Sequence, residues 1–300
     1  MASGPCELLL RVNGIQPAFG VELGSDSPRA DEIRRSDPYR QANVSYSLVQ
    51  RCGGRPARHT LIDVGMGVVP SLLEFEQTHG IRAVDEVLLT HPHWDHFAQL
   101  DWLSMSLLRS GRPEQPRPLP VYASRECWET GPLRCFPHLP DRTVFRPIQA
   151  GTPVVLGDVV VTPIAVDHGP TVPGPLGFVI EGGGRKIVAS GDFHHVLDED
   201  LPLLFGADAA FLEANTWHPI EGLWHQSVEG DLRLVRKWKP KRAYLVHYSG
   251  HEDRNFPLDP IHEPLSAARL REELRRAGGN DDVQPAEHGM VLGDTVRWPE

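Results

Sequence analysis

The residues with the greatest capacity for chemistry are His91-Pro92-His93-Trp94-Asp95-His96, three imidazoles and a carboxylate within six positions. Neutral nitrogen donors with one hard oxygen suit a borderline-soft divalent cation such as zinc. The run stands where an apolar strand, Val84 to Thr90, gives way to a helical pattern. Loop geometry there lets His91 and His93 point one way, and Asp95 and His96 toward a neighbouring position. Two metals can be served; the alternative is a coincidental histidine-rich turn. Three later segments, Ala165-Val166-Asp167-His168, Ala189-Ser190-Gly191-Asp192 and Leu245-Val246-His247, each put a ligand-type residue directly after an apolar strand, so all can meet at one rim of a sheet.

The elements that must position these groups are legible as periodic patterns. Glu7 to Val12 opens as a strand, and Gly20 to Tyr39, with its Gly, Ser, Asp and Pro, reads as a long surface loop. Ser45–Val49 and Thr60–Asp63 form the arms of a hairpin, Val69–Thr78 is helical, and Phe97, Leu100, Leu103 and Leu107 recur at helical spacing. Gly157-Asp158 and Gly182-Gly183-Gly184 each join two apolar strands as hairpin turns do. Short strands follow at Ala209–Leu212 and Ala243–Val246, with helices expected over about 226–238 and 264–277. Strands followed by a helix, twice over, predict one α/β domain spanning 1–300.

Composition narrows the function classes. Three hundred residues with 40% apolar content bury a substantial core, and a net charge of −10 lacks the positive field that a general nucleic-acid binder needs. No apolar run approaches the ~20 residues that cross a bilayer, and Met1 to Glu7 has neither a basic start nor a long apolar middle. The four cysteines, Cys6, Cys52, Cys127 and Cys135, form no Cys-x-x-Cys pair, which suits a reducing compartment, with a Cys127–Cys135 bridge as the lesser alternative. A cytoplasmic protein without a membrane segment is expected, with a homodimer left open.

The order His-x-His-x-Asp-His, isolated His, Asp and late His resembles the metallo-β-lactamase-fold hydrolases over nearly the whole chain. The resemblance implies a four-layer αββα sandwich: two mixed β-sheets flanked by helices, built as two pseudo-equivalent halves. It further implies two divalent ions, zinc by the histidine count with manganese or iron as alternatives. His91, His93 and His168 would bind one ion, Asp95, His96 and His247 the other, and Asp192 would bridge them. A hydroxide shared by the ions makes hydrolysis the default reaction. Leu61-Ile62-Asp63-Val64-Gly65 resembles the family strand that supplies a carboxylate behind the metal loop, so Asp63 is expected to hold its histidines in one tautomer and orientation; a turn aspartate that merely ends the strand is the alternative.

Within the fold the likeness is to the branch that contains the cyclic phosphodiesterases of phosphonate breakdown and the tRNA 3′-endonucleases. Leu212-Glu213-Ala214-Asn215-Thr216 and His225-Gln226-Ser227 resemble, with one residue inserted, the Glu-Ala-Thr and His-Ser-Thr elements of the latter. Carried over, His225 is the general acid and Glu213 its orienting partner, with Asp95 counted beside them as catalytic. The stretch from Gly14 to Ser47 resembles the N-terminal loop of the cyclic phosphodiesterases but lacks their structural cysteine cluster. These features imply a small, possibly cyclic, phosphodiester substrate. Lactone or β-lactam hydrolysis and tRNA 3′ processing are the alternatives, and an iron protein that keeps the fold without hydrolysis is the reading from another class. His194, His195, His218 and His251 are structural or rim residues. His59, His79, His138 and His262 are expected to face solvent, and His288 is expected to be structural. Trp94, Trp217 and Trp224 either pack in the core or form a flat wall for a ring-shaped substrate.

Overall fold

The computed structural model describes residues 6–20, 23–35, 41–113, 115, 117–278, 282–293 and 298. Two mixed sheets carry the fold. The first has the order β15 (Val291–Leu292), β1 (Glu7–Gly14), β2 (Ser45–Cys52), β3 (Arg55–Ile62), β4 (Glu86–Leu88), β5 (Leu119–Ala123) and β6 (Thr143–Pro147). The second runs β11 (His195–Val196), β8 (Val159–Asp167), β9 (Leu176–Gly182), β10 (Arg185–Ala189), β12 (Ala209–Glu213), β13 (Ala243–Val246) and β14 (Val283–Pro285), with β7 (Val154–Leu156) pairing β8. In both sheets three antiparallel pairings are followed by three parallel ones. The parallel strands lie side by side with their carboxyl ends at one rim.

Alternation along these strands builds the layers. Leu61 and Val87 face helices α2 (Val68–His79) and α4 (Leu100–Ser110), whereas Ile62 and Leu88 face the other sheet, where they meet Phe178, Phe211 and Tyr244. On the far side, Val188, Ala210 and Leu245 pack against α7 (Val228–Trp238) and α8 (Ala267–Arg276). Strands buried on both faces read as continuous apolar runs. The result is the expected helix–sheet–sheet–helix sandwich.

Three expectations need correction. Within Gly20–Tyr39 a helix, α1 (Pro28–Arg35), forms: Ser27 Oγ accepts the amide of Ala30, and Ala30 and Ile33 are buried, so proline stands in the first turn where it costs nothing. Residues 21–22 and 36–40 of that stretch lie outside those described. Cys6 and Cys52 are joined in a disulfide, while Cys127 and Cys135 are free. The antiparallel register Glu7↔Arg51 places them across from each other, a proximity that no spacing along the chain announces. His59 is buried rather than solvent-facing, because it lies on the helix-covered side of β3, where its ring nitrogens meet Ala83 O at 2.7 Å and Ser47 Oγ at 2.8 Å. No helix among the described residues is long and apolar enough to cross a membrane.

Candidate metal centre

The ligand-type residues sit where parallel strands end. β4 leads through Leu89 and Thr90 to His91, and a single helical turn, α3 (Trp94–Phe97), starts at His93 and turns Asp95 and His96 inward. In the second sheet β8 ends before His168, β10 before Asp192, and β13 before His247, whose backbone is left-handed at φ 63°. Because β10, β12 and β13 are neighbours in parallel, Asp192, Glu213 and His247 emerge beside one another. The metal loop is fastened to β3 by Val64 N donating to His96 O at 2.7 Å, and Gly65 passes so close to it that a Cβ would stand 1.5 Å from Asp95 O. Only glycine fits there.

Among the described residues three groups of ligand-type atoms, each within 4.8 Å of one another, share Asp192; the third, with Glu213, His225 and His247, overlaps the two that follow. One comprises His91, His93, His168 and Asp192; the other comprises Asp95, His96, Asp192 and His247. Asp192 Oδ2 lies 3.0 Å from His247 Nε2, 3.3 Å from His96 Nε2 and 3.8 Å from His91 Nε2. These four buried atoms have no hydrogen-bond partner. Buried polar atoms left without partners cost stability, and their convergence is what a cation would satisfy. The donor set of imidazole nitrogens and carboxylates fits divalent metals of the zinc type.

The other ring atoms are held by the protein. Asp63 Oδ2 lies 2.8 Å from His96 Nδ1 and accepts the Thr90 hydroxyl at 2.7 Å, while Oδ1 accepts the Thr90 amide at 2.8 Å. The Trp224 carbonyl lies 2.6 Å from His168 Nδ1. Each contact engages Nδ1 and turns Nε2 toward the centre, where that of His168 lies 3.2 Å from His93 Nδ1. Burial pushes His91 well below the ordinary histidine range and His93 down to about 4, and lowers His168 as well. Neutral imidazole is the form that binds metal. Burial also opposes charge on His96 and His247, but Asp192 and the other carboxylates outweigh it and hold both up. Burial would raise Asp192, whereas His247 and His96 draw it well below the carboxylate range.

Against this cluster stands a second pair. Glu213 is fully buried; its Oε2 accepts the Phe193 amide at 2.8 Å, and its Oε1 bonds Nδ1 of His225 and lies 3.4 Å from Nδ1 of His247. Burial opposes charge on His225, but Glu213 more than offsets it and raises the imidazole. Ser227 caps α7 by accepting the Gly230 amide at 3.1 Å, which fixes the start of the helix just after His225.

A cleft of about 680 Å³ opens over both groups and is lined by His93, Asp95, Asp192, His225 and His247. Trp94 is also on its wall, whereas Trp217 packs in the core and Trp224 stacks over Gly169. His194 and His195 do not line it; His195 Nδ1 lies 3.5 Å from Asp167. His251 does line it, His218 lies between Glu229 and Asp259, and His288 is tied to Glu74 on α2 at 3.1 Å. The sequence reasoning missed Phe19, Asn215, Leu223 and Ser249 on the cleft wall. Asn215 had a signal: it is the residue inserted between Ala214 and Thr216.

A family model described as the beta-lactamase superfamily domain matches residues 58–248. Ribonuclease Z of Mycobacterium bovis (strain BCG / Pasteur 1173P2) is 29% identical over 185 residues, a match covering 57% of this chain and 61% of that protein. A UPF0173 metal-dependent hydrolase of Polaromonas sp. is 26% identical over 198 residues, 59% of this chain and 65% of that one. The chain thus spans less than two thirds of the length of these curated relatives. Among solved structures, a diphosphatase from the PhnP family superposes with a TM-score of 0.71 at 22% identity, over 95% of this chain and 96% of the other, a likeness of fold.

Proposed function

This chain belongs to the beta-lactamase superfamily domain family, and on that premise we propose that it is a binuclear metal-dependent phosphodiesterase acting on a small phosphodiester, cyclic ones included. The observation that carries the reading is the sharing of Asp192 by two ligand groups with His225 and Glu213 against the same cleft. His91, His93, His168 and Asp192 would hold one ion, and Asp95, His96, His247 and Asp192 the other. The chemistry supplied by divalent ions bound there is polarisation of a phosphoryl oxygen and a water nucleophile available near neutral pH.

The chain's own residues supply the rest. Glu213 occupies Nδ1 of His225, so the free Nε2 is the atom that gives a proton to the leaving oxygen as the P–O bond breaks. Asp95 lines the cleft and its carboxylate orients the attacking water. Asp63 and the Trp224 carbonyl keep His96 and His168 from turning away. The likeness to ribonuclease Z favours tRNA 3′ processing as a second reading, and the net charge of −10 weighs against it.

The test is release of p-nitrophenol from bis-p-nitrophenyl phosphate by protein loaded with zinc or manganese, beside nitrocefin, a lactone and a precursor tRNA. Turnover of the diester alone supports the reading. Turnover of nitrocefin or the lactone without the diester overturns it, and preferential cleavage of the precursor transfers it to the second reading.

A further inference from the structure

One wall of the cleft has no part in the chemistry so far. Phe19, 73% exposed, meets the indole of Trp94, 43% exposed, edge to face at a centroid separation of 6.2 Å, and Pro17, Leu23 and Leu223 are further apolar residues lining the cleft. An exposed pair of aromatic rings in a cleft that also holds convergent polar groups marks where a ligand is covered. Charge narrows the class. No lysine or arginine is among the described residues lining the cleft; its polar wall beyond the histidines and the two ligand aspartates is Asn215, Ser249 and the Glu252 carboxylate. A second phosphate or carboxylate on the substrate would find no lysine or arginine among these described residues and would face Glu252.

We infer that the substrate is a singly charged phosphodiester with one uncharged, flat ring as an ester arm, seated against Phe19 and Trp94, and that arms carrying further anionic groups are rejected. The inference rests on the phosphodiesterase reading and extends it by naming the arm.

Zinc-loaded protein titrated calorimetrically with diphenyl phosphate and with dimethyl phosphate reads the wall without turnover. As substrates, p-nitrophenyl phenyl phosphate is compared with a p-nitrophenyl diester whose second arm bears a carboxylate. Diphenyl phosphate is expected to bind about tenfold tighter, the scale set by burying part of a ring, with a similar KM advantage for the phenyl arm. Phe19→Ala removes most of both differences, and folding is not at stake at so exposed a position. Leu258→Ala, fully exposed outside the cleft, removes neither. Equal affinities, equal or better use of the carboxylate arm, or an unchanged Phe19→Ala overturns the inference. If no diester turns over while diphenyl phosphate keeps its Phe19-dependent preference, the ring wall stands and the hydrolytic reading falls.

Discussion

Glu213 holds Nδ1 of His225 with the same carboxylate oxygen that lies 3.4 Å from Nδ1 of His247. One buried group therefore orients the proposed acid and stands beside a ligand of the metal cluster. The two roles separate by mutation. His225→Ala keeps its full metal content and loses about 10²–10⁴ in kcat toward an alkyl leaving group, the range for a general acid. It loses far less toward p-nitrophenolate, which needs no proton. Glu213→Gln loses rate and also binds metal about tenfold or more weakly, the cost of removing an outer partner. A leaving-group series with metal analysis on both variants checks this; equal losses across the series for His225→Ala would remove its assignment as the acid.

Asp192 is the atom source common to both ligand groups. Asp192→Ala is therefore expected to lose both ions together with activity, whereas His96→Ala loses the ion on its own side first. Mass spectrometry of native protein at graded zinc concentrations distinguishes the two patterns. A variant at Asp192 that kept two ions would show that the groups are independent.

Asp63 holds a left-handed backbone at φ 56° while receiving Thr90 and His96. Asparagine tolerates that backbone, so Asp63→Asn keeps the fold's turn while removing the charge and turning one of the two acceptor oxygens facing Thr90 and His96 into an amide donor. Zinc affinity is expected to fall about 10–100-fold, with a smaller drop in the melting temperature of the metal-free protein than Asp63→Ala gives. Asp63→Ala adds a backbone penalty of about 1 kcal/mol or more and melts earlier. Chelator competition and thermal unfolding read the two effects separately.

His59 gives the chain a pH-dependent stability unrelated to the metal. Burial, with Arg11 adding its charge, lowers its pKa to about 4 in the fold, against 6.5 when exposed. Between those values the unfolded state binds the proton that the fold refuses. The stabilising contribution is complete above about pH 6.5 and is lost as pH falls toward about 4, amounting to about 3 kcal/mol. His59→Gln should flatten this acid slope. Urea midpoints of both proteins at pH 7 and pH 4.5 test it, and parallel slopes would contradict it.

Much of the centre was legible because its information is local. His91 to His96 crowd into one loop, and each later ligand directly follows an apolar strand, so alternation and strand ends located them before any contact was known. What was hidden depends on partners distant in the chain. His59 looks like any polar strand residue until α2 covers its face, and Cys6 meets Cys52 only through the register of β1 and β2. Helix α1 was obscured by the loop-forming residues around it, since its stability comes from burying Ala30 and Ile33 rather than from propensity. Phe19 reached the cleft wall through a segment with no periodic pattern at all.

The most direct test is the number of zinc ions per chain in native mass spectra, taken during titration and repeated with Asp192→Ala. Two ions on the natural chain, both lost in the variant, is the predicted result. A folded protein that takes up no zinc, or a variant that binds as the natural chain does, would contradict the shared centre.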